Sequence, residues 1–153
     1  MNQPKKPNSM KRDTTQTEKD ILAQIGENSV LLQLSLRSSS RWKVYRSIKD
    51  SGCDIILENN ESKKVKIEVK TRQKLCAKAE KERGPQFTLT EKERNSADYV
   101  ICYWWEKNDY FVVPKKDLIE TKNGEKTVYK FSVGKLGSNE RTNKYLNNWD
   151  QLF

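Results

Sequence analysis

The chain contains no histidine. That absence excludes Ser-His-Asp and Cys-His nucleophile systems, every His-ligated metal site, and hydrolases that use histidine as general base. Cysteine is scarce too. Cys53, Cys76 and Cys102 are odd in number and far apart, with no C-x-x-C pair, so neither a zinc site nor a disulfide set is expected. A reducing compartment follows as the expected home, with Cys53 and Cys102, which sit in apolar runs, as core residues. No stretch is long or apolar enough to span a bilayer, and no signal-peptide-like apolar run stands near the N-terminus. A soluble, intracellular (cytoplasmic) protein with no membrane partner is expected. Any chemistry falls to carboxylates, lysines, arginines and hydroxyls.

Charge, by contrast, is abundant. Of 153 residues, 33% are charged and only 34% hydrophobic, so one compact core must sit under a heavily charged surface. The formal net charge of +9 points to a polyanionic partner, most commonly nucleic acid, although a basic surface also serves solubility alone.

Residues 1–16 carry Pro4, Pro7 and the cations Lys5, Lys6, Lys11 and Arg12 without apolar periodicity, and read as a disordered basic arm. Residues 17–153 read as a single domain, with a core over about 17–113 and a β-α tail over 114–153. Thr17-x-x-Asp20 resembles a capping pattern, and Ile21, Leu22, Ile25, Leu32 and Leu36 then recur at helical spacing. Gly26 interrupts that helix at a propensity cost of about 1 kcal/mol. Strands are predicted at 42–46, 53–58 and 64–71, the last with Val65, Ile67 and Val69 alternating against Lys66, Glu68 and Lys70. A basic segment over 72–86 follows, ending at Gly84-Pro85. Thr90-x-x-Glu93 is a capping box opening a short helix. Strands over 99–105 and 110–113, a strand around 127–133 and a helix from Ser138 complete the order. The expected architecture is α/β, a mixed central sheet flanked by helices.

The chemistry-bearing pattern lies on the second and third strands. A hairpin loop centred on Glu61 sets Asp54 opposite Glu68. Opposed residues of an antiparallel pair share a face, with Cβ atoms about 4.5–5.5 Å apart. Two carboxylates so placed repel unless a cation joins them, and hard oxygen ligands suit Mg2+ or Mn2+. Lys70, two residues beyond Glu68, points to the same face. An isolated E-x-K is cheap in a lysine-rich chain; it recurs at Glu61-Ser62-Lys63 and Glu120-Thr121-Lys122. The Glu68 copy alone stands in a strongly apolar strand, with Asp54 within reach and Glu27 upstream beside a glycine.

The series Gly26-Glu27, Gly52-Cys53-Asp54 and Ile67-Glu68-Val69-Lys70 resembles the PD-(D/E)xK superfamily of restriction-endonuclease-like nucleases. Cys53 stands where the motif name has proline. The resemblance implies an αβββαβ core over residues 17–105. It implies Asp54 and Glu68 as metal ligands, helped by the Val69 carbonyl, with Glu27 as a further ligand, direct or through water. It also implies that Lys70 orients and deprotonates the attacking water or stabilises charge on phosphorus.

The expectation is therefore a magnesium-dependent DNA endonuclease of restriction or junction/repair type. RNA is the lesser substrate, and a homodimer is expected because one small site cuts one strand. Arg72, Gln73, Lys74, Lys78, Lys81 and Arg83 are the candidate nucleic-acid contacts; the same segment also reads as a solvated helix laced with ion pairs. Trp42, Trp104, Trp105 and Trp149 are candidates for base stacking, but Trp104 and Trp105 point to opposite faces of one strand, so one of them belongs to the core. A noncatalytic nucleic-acid-binding module of the same fold, or a basic protein-interaction domain, are the alternative readings.

Overall fold

The computed structural model describes residues 15–48, 52–73, 84–134 and 137–153. The expected basic arm falls almost wholly outside them, as does the basic segment from Lys74 to Arg83.

Helix α1 spans Gln16–Arg37. Thr15, not Thr17, is its N-cap: the Thr15 hydroxyl accepts the Glu18 N–H at 3.2 Å. Strands β1 (Trp42–Arg46), β2 (Ile55–Asn59) and β3 (Lys64–Arg72) follow as an antiparallel meander. Strand β4 (Gln86–Thr90), helix α2 (Glu91–Asn95), β5 (Tyr99–Trp104) and β6 (Asp109–Pro114) come next, then β7 (Ile119–Asn123) and β8 (Lys126–Ser132). The main sheet has the order β1-β2-β3-β5-β6, and β4-β8-β7 form a second, antiparallel sheet. Within the main sheet only β3 and β5 run parallel, so the sheet is mixed, as expected.

That parallel pair is central because it is covered on both faces. Along β5, Ile101 and Tyr103 join Val65, Ile67 and Val69 of β3 and Val30 and Leu34 of α1 in one core. Val100, Cys102 and Trp104 turn the other way, into a second core with Phe87, Leu89 and Phe131 of the smaller sheet. The run Tyr-Val-Ile-Cys-Tyr-Trp is almost continuously apolar for this reason. Of the tryptophans, Trp104 and Trp149 are buried and Trp105 is exposed, which confirms that Trp104 and Trp105 take opposite roles.

Three expectations are corrected. The periodic set Ile21, Ile25, Leu32 and Leu36 marks the solvent side of α1, all four being exposed, while Gly26, Val30 and Leu34 form its buried stripe. Strands β4 and β7 were not foreseen. The helix expected from Ser138 does not form. There, side chains take up the polar groups that a helix would pair: Asn139 Oδ1 accepts the Arg141 N–H, Thr142 Oγ1 accepts the Asn139 N–H, and Ser138 Oγ donates to Asn143 Oδ1. The chain then closes in a short 3-10 turn, Trp149–Leu152.

Gly26 explains itself in the structure. A Cβ there would lie 1.6 Å from Thr71 Oγ1 on β3, so the glycine is where helix and sheet touch. Gly26→Ala gains about 1 kcal/mol in helix propensity but forces α1 off the sheet, an overpacking cost of about 1–3 kcal/mol. Net destabilisation is expected in a urea midpoint measurement. A stabilised variant would show that this contact yields freely.

Candidate active site

Asn59 sets the site. Its Oδ1 accepts the N–H groups of Glu61 (3.0 Å) and Lys63 (2.9 Å), folding the chain back on itself. The register that results pairs Glu58 with Lys64 and Ile55 with Ile67, so the next step brings Asp54 level with Glu68. The hairpin centred on Glu61 is thus as expected. Gly52, at φ +82°, supplies the turn into Asp54, and a Cβ on it would meet Ser96 Oγ at 2.4 Å.

Asp54 lies just before β2. Its N–H bonds the Ile67 carbonyl at 2.9 Å and its carbonyl accepts the Ser47 N–H at 2.9 Å. Its carboxylate Oδ2 accepts the Val69 N–H at 2.8 Å. Clamped between the β1 and β3 sides, the side chain has little freedom. Glu68 is buried, only 6% exposed, on the β3 face opposite to Val69 and α1. Burial first, then a hydrogen bond with Glu93 and the charge of Asp54, push its carboxyl up to about 9, against the opposing pull of Lys70.

Lys70 Nζ stands 3.3 Å from Glu68 Oε1 and pairs also with Glu93 Oε2. Burial works against the ammonium, but the hydrogen bond to Glu93 and the charges of Glu68 and Glu93 outweigh it and raise the pKa. Glu93 is held down to about 2 despite its burial, by hydrogen bonds from Glu68, Lys70 and the Thr90 backbone. The neighbouring Cys102 thiol, fully buried, is pushed up and stays a core group.

Glu27 projects from α1, beside the Gly26 contact. Burial, then the charge of Asp54 and a hydrogen bond with it, raise its pKa, while Arg46 opposes the shift. Arg46 Nη1 sits 3.3 Å from Glu27 Oε2, and its Nη2 also donates to Asn28 Oδ1. Glu27, Asp54 and Glu68 line one cavity of about 480 Å³ together with Arg46, Lys92 and Glu93.

The remaining candidates are placed otherwise. Arg72 Nε donates to the Gln86 carbonyl at 3.2 Å, tying the end of β3 to β4. Gln73 lines a separate hollow with Ile21, Ile25 and Trp105. Lys74, Lys78, Lys81 and Arg83 lie outside the described residues. Three charged residues of the cavity carry little functional signal in the sequence. Glu93 was visible only as a capping-box residue. Arg46 was reachable in principle, since it faces Ile55 in the β1–β2 register and so adjoins Asp54. Lys92 carried no signal of its own.

Do these residues suit a divalent cation? Among the described residues, no three acidic or sulfur side chains are gathered tightly enough to enclose a metal ion by themselves. Magnesium does not require it; one or two carboxylates, with waters and substrate phosphates, are its usual set. Asp54 and Glu68 are such a pair. The pKa of Glu68 and of Glu27 is raised first by burial and then by the neighbouring carboxylates, and a dication beside them would favour the ionised forms. The donor set therefore fits a hard divalent cation.

No protein-family model matches the chain, and no curated protein matches it either. Solved structures do. Hjc from Archaeoglobus fulgidus, a Holliday junction resolvase from an archaeal hyperthermophile, aligns at a TM-score of 0.54 and 18% identity, over 85% of this chain and 93% of its own. The bacterial homing endonuclease I-Ssp6803I aligns at 0.53 and 18% identity, over 92% of each chain. The mixed α/β architecture described above is thus a fold shared with two nucleases.

Proposed function

We propose that the protein is a metal-dependent endonuclease that hydrolyses DNA phosphodiester bonds. The observation that carries this reading is that one hairpin brings Asp54 and Glu68 to a cavity that Glu27 also lines, with Lys70 paired to Glu68 beside it. The shared fold with a junction resolvase and a homing endonuclease supports DNA over RNA, and the net charge of +9 supports a polyanionic substrate.

In this reading Asp54 and Glu68 hold Mg2+ or Mn2+, with the Val69 carbonyl and Glu27 completing the set directly or through water. Bound there, the cation supplies charge neutralisation and a more acidic water. The Val69 N–H fixes one Asp54 carboxylate oxygen, and Glu27 shares a hydrogen bond with the same carboxylate. Lys70 orients the attacking water or stabilises charge on phosphorus from the same strand face. Arg46 and Lys92, on the cavity wall, are the cations there that would meet substrate phosphates. Cutting both strands of a duplex takes two such sites, so the reading includes a homodimer.

The test is incubation of purified protein with supercoiled plasmid and with branched DNA, in magnesium or in EDTA. Metal-dependent nicking is expected, reduced about 10²-fold or more in Asp54→Ala and in Lys70→Ala. Asp54→Ala cleaving like wild type would place the chemistry elsewhere. Tight binding with no cleavage under any divalent metal would favour the noncatalytic module instead.

Lys92 gives a second, independent check. Lys92→Ala is expected to weaken DNA binding and to reduce the slope of log affinity against log salt by about one. An unchanged slope would remove Lys92 from the phosphate path.

A further inference from the structure

We propose that Glu93 is a positioning residue of the site: its carboxylate, fixed at the start of α2, holds the Lys70 ammonium against Glu68. The proposal rests on the nuclease reading and adds to it a residue on a different element from the Asp-Glu-Lys set.

The two oxygens of Glu93 do different things. Oε1 accepts the Thr90 N–H at 3.0 Å and so closes the capping box, while Thr90 Oγ1 accepts the Glu93 N–H at 3.2 Å. Oε2 pairs with Lys70 Nζ. A capping-box carboxylate is held by its own backbone, so the oxygen left over has a defined position. Helix α2 is in turn fixed to the smaller sheet: it continues directly from β4, and the Arg94 guanidinium lies 4.6 Å above the Tyr129 ring on β8.

Lys70 needs such a partner. Lysine is a flexible stem carrying a point charge, and holding it in one place costs rotamer entropy. Glu68, two residues away on the same strand, supplies one anchor, but that carboxylate is also the one assigned to the cation. Glu93 is the other carboxylate paired with Lys70 among the described residues, and it comes from the opposite layer. With both in place the ammonium is confined between strand and helix, beside the cavity that Glu68 and Glu93 line.

The simpler alternative is that Glu93 only caps a short helix. Gln and Glu serve the N3 position of a capping box alike, so Glu93→Gln keeps the cap and removes the charge that Lys70 answers to. Thr90→Ala does the reverse. Glu93→Gln is expected to melt close to wild type, yet to lose about 10–100-fold in kcat with KM little changed, the size seen when groups that orient a site are removed. Thr90→Ala is expected to melt about 2–4 °C lower with kcat within about twofold of wild type. Equal kcat losses in the two variants, or a Glu93→Gln enzyme of wild-type kcat, would overturn the proposal. A wild-type protein that cleaves no DNA would instead sink the nuclease reading. The rate of Lys70 acetylation by acetic anhydride, read by peptide mass spectrometry, still decides the role of Glu93 in that case. Severalfold faster acetylation in Glu93→Gln supports it, and an unchanged rate refutes it.

Discussion

Asn59 draws two backbone N–H groups onto one side-chain oxygen, and by doing so decides which residues of β2 and β3 face one another. Side chains alternate along a strand, so a slip of one residue would send Glu68 and Lys70 to the α1 face and Ile67 and Val69 to the other. The apolar set Val65, Ile67 and Val69 resists that slip, because it is what α1 buries. Turn and core therefore enforce the same register. The cost of that agreement is local: Asp54 and Glu68 are brought level, and the buried Glu68 carboxyl is pushed up in pKa. A domain whose stability is a small difference between large terms keeps such a pairing only where something else offsets it.

The layering then determines how much water each member sees. Glu68 points away from α1 into the space beneath the smaller sheet, where it is almost fully buried, while Glu27 comes from the helix on the other side and remains partly exposed. The approach of α1 at Gly26 and Thr71 brings Glu27 close enough to Asp54 for the two to share a hydrogen bond. Acids from three segments (a helix, a strand entry and a strand interior) thus meet at one cavity. The lysine that balances them is anchored from a fourth.

Much of this was legible because it is local. The period of two in β3 is a property of consecutive residues, and the hairpin needs only a turn between two strands, so Asp54, Glu68 and Lys70 could be brought together on paper. The α1 face could not be read as safely. Its apolar residues form two stripes, and periodicity says that a helix exists without saying which stripe is buried; the exposed set Ile21, Ile25, Leu32 and Leu36 was the more conspicuous in sequence. Strand β4 went unread because it follows Gly84-Pro85 and is short, and the tail misled because Asn, Ser and Thr side chains compete with helix formation. Glu93 shows the limit most clearly. Its role in the capping box lies within four residues and was seen, whereas its contact with Lys70 spans 23 residues and depends on how two sheets stack.

The distribution of charge completes the argument. A protein of net charge +9 concentrates carboxylates at one cavity and sets Arg46 and Lys92 on the same wall. A uniformly basic cleft would attract a phosphodiester and simply hold it. An acidic pocket alone would repel it. Carboxylates set among cations suit the proposed order, a dication first and a phosphate second, since the anion would be welcome only after the pocket's charge had been met. On the proposed reading, that order of electrostatic demands is what would separate a hydrolytic site from a merely sticky basic surface. Lys70 already meets part of that demand, because its ammonium stands 3.3 Å from Glu68 Oε1 and pairs with Glu93 as well.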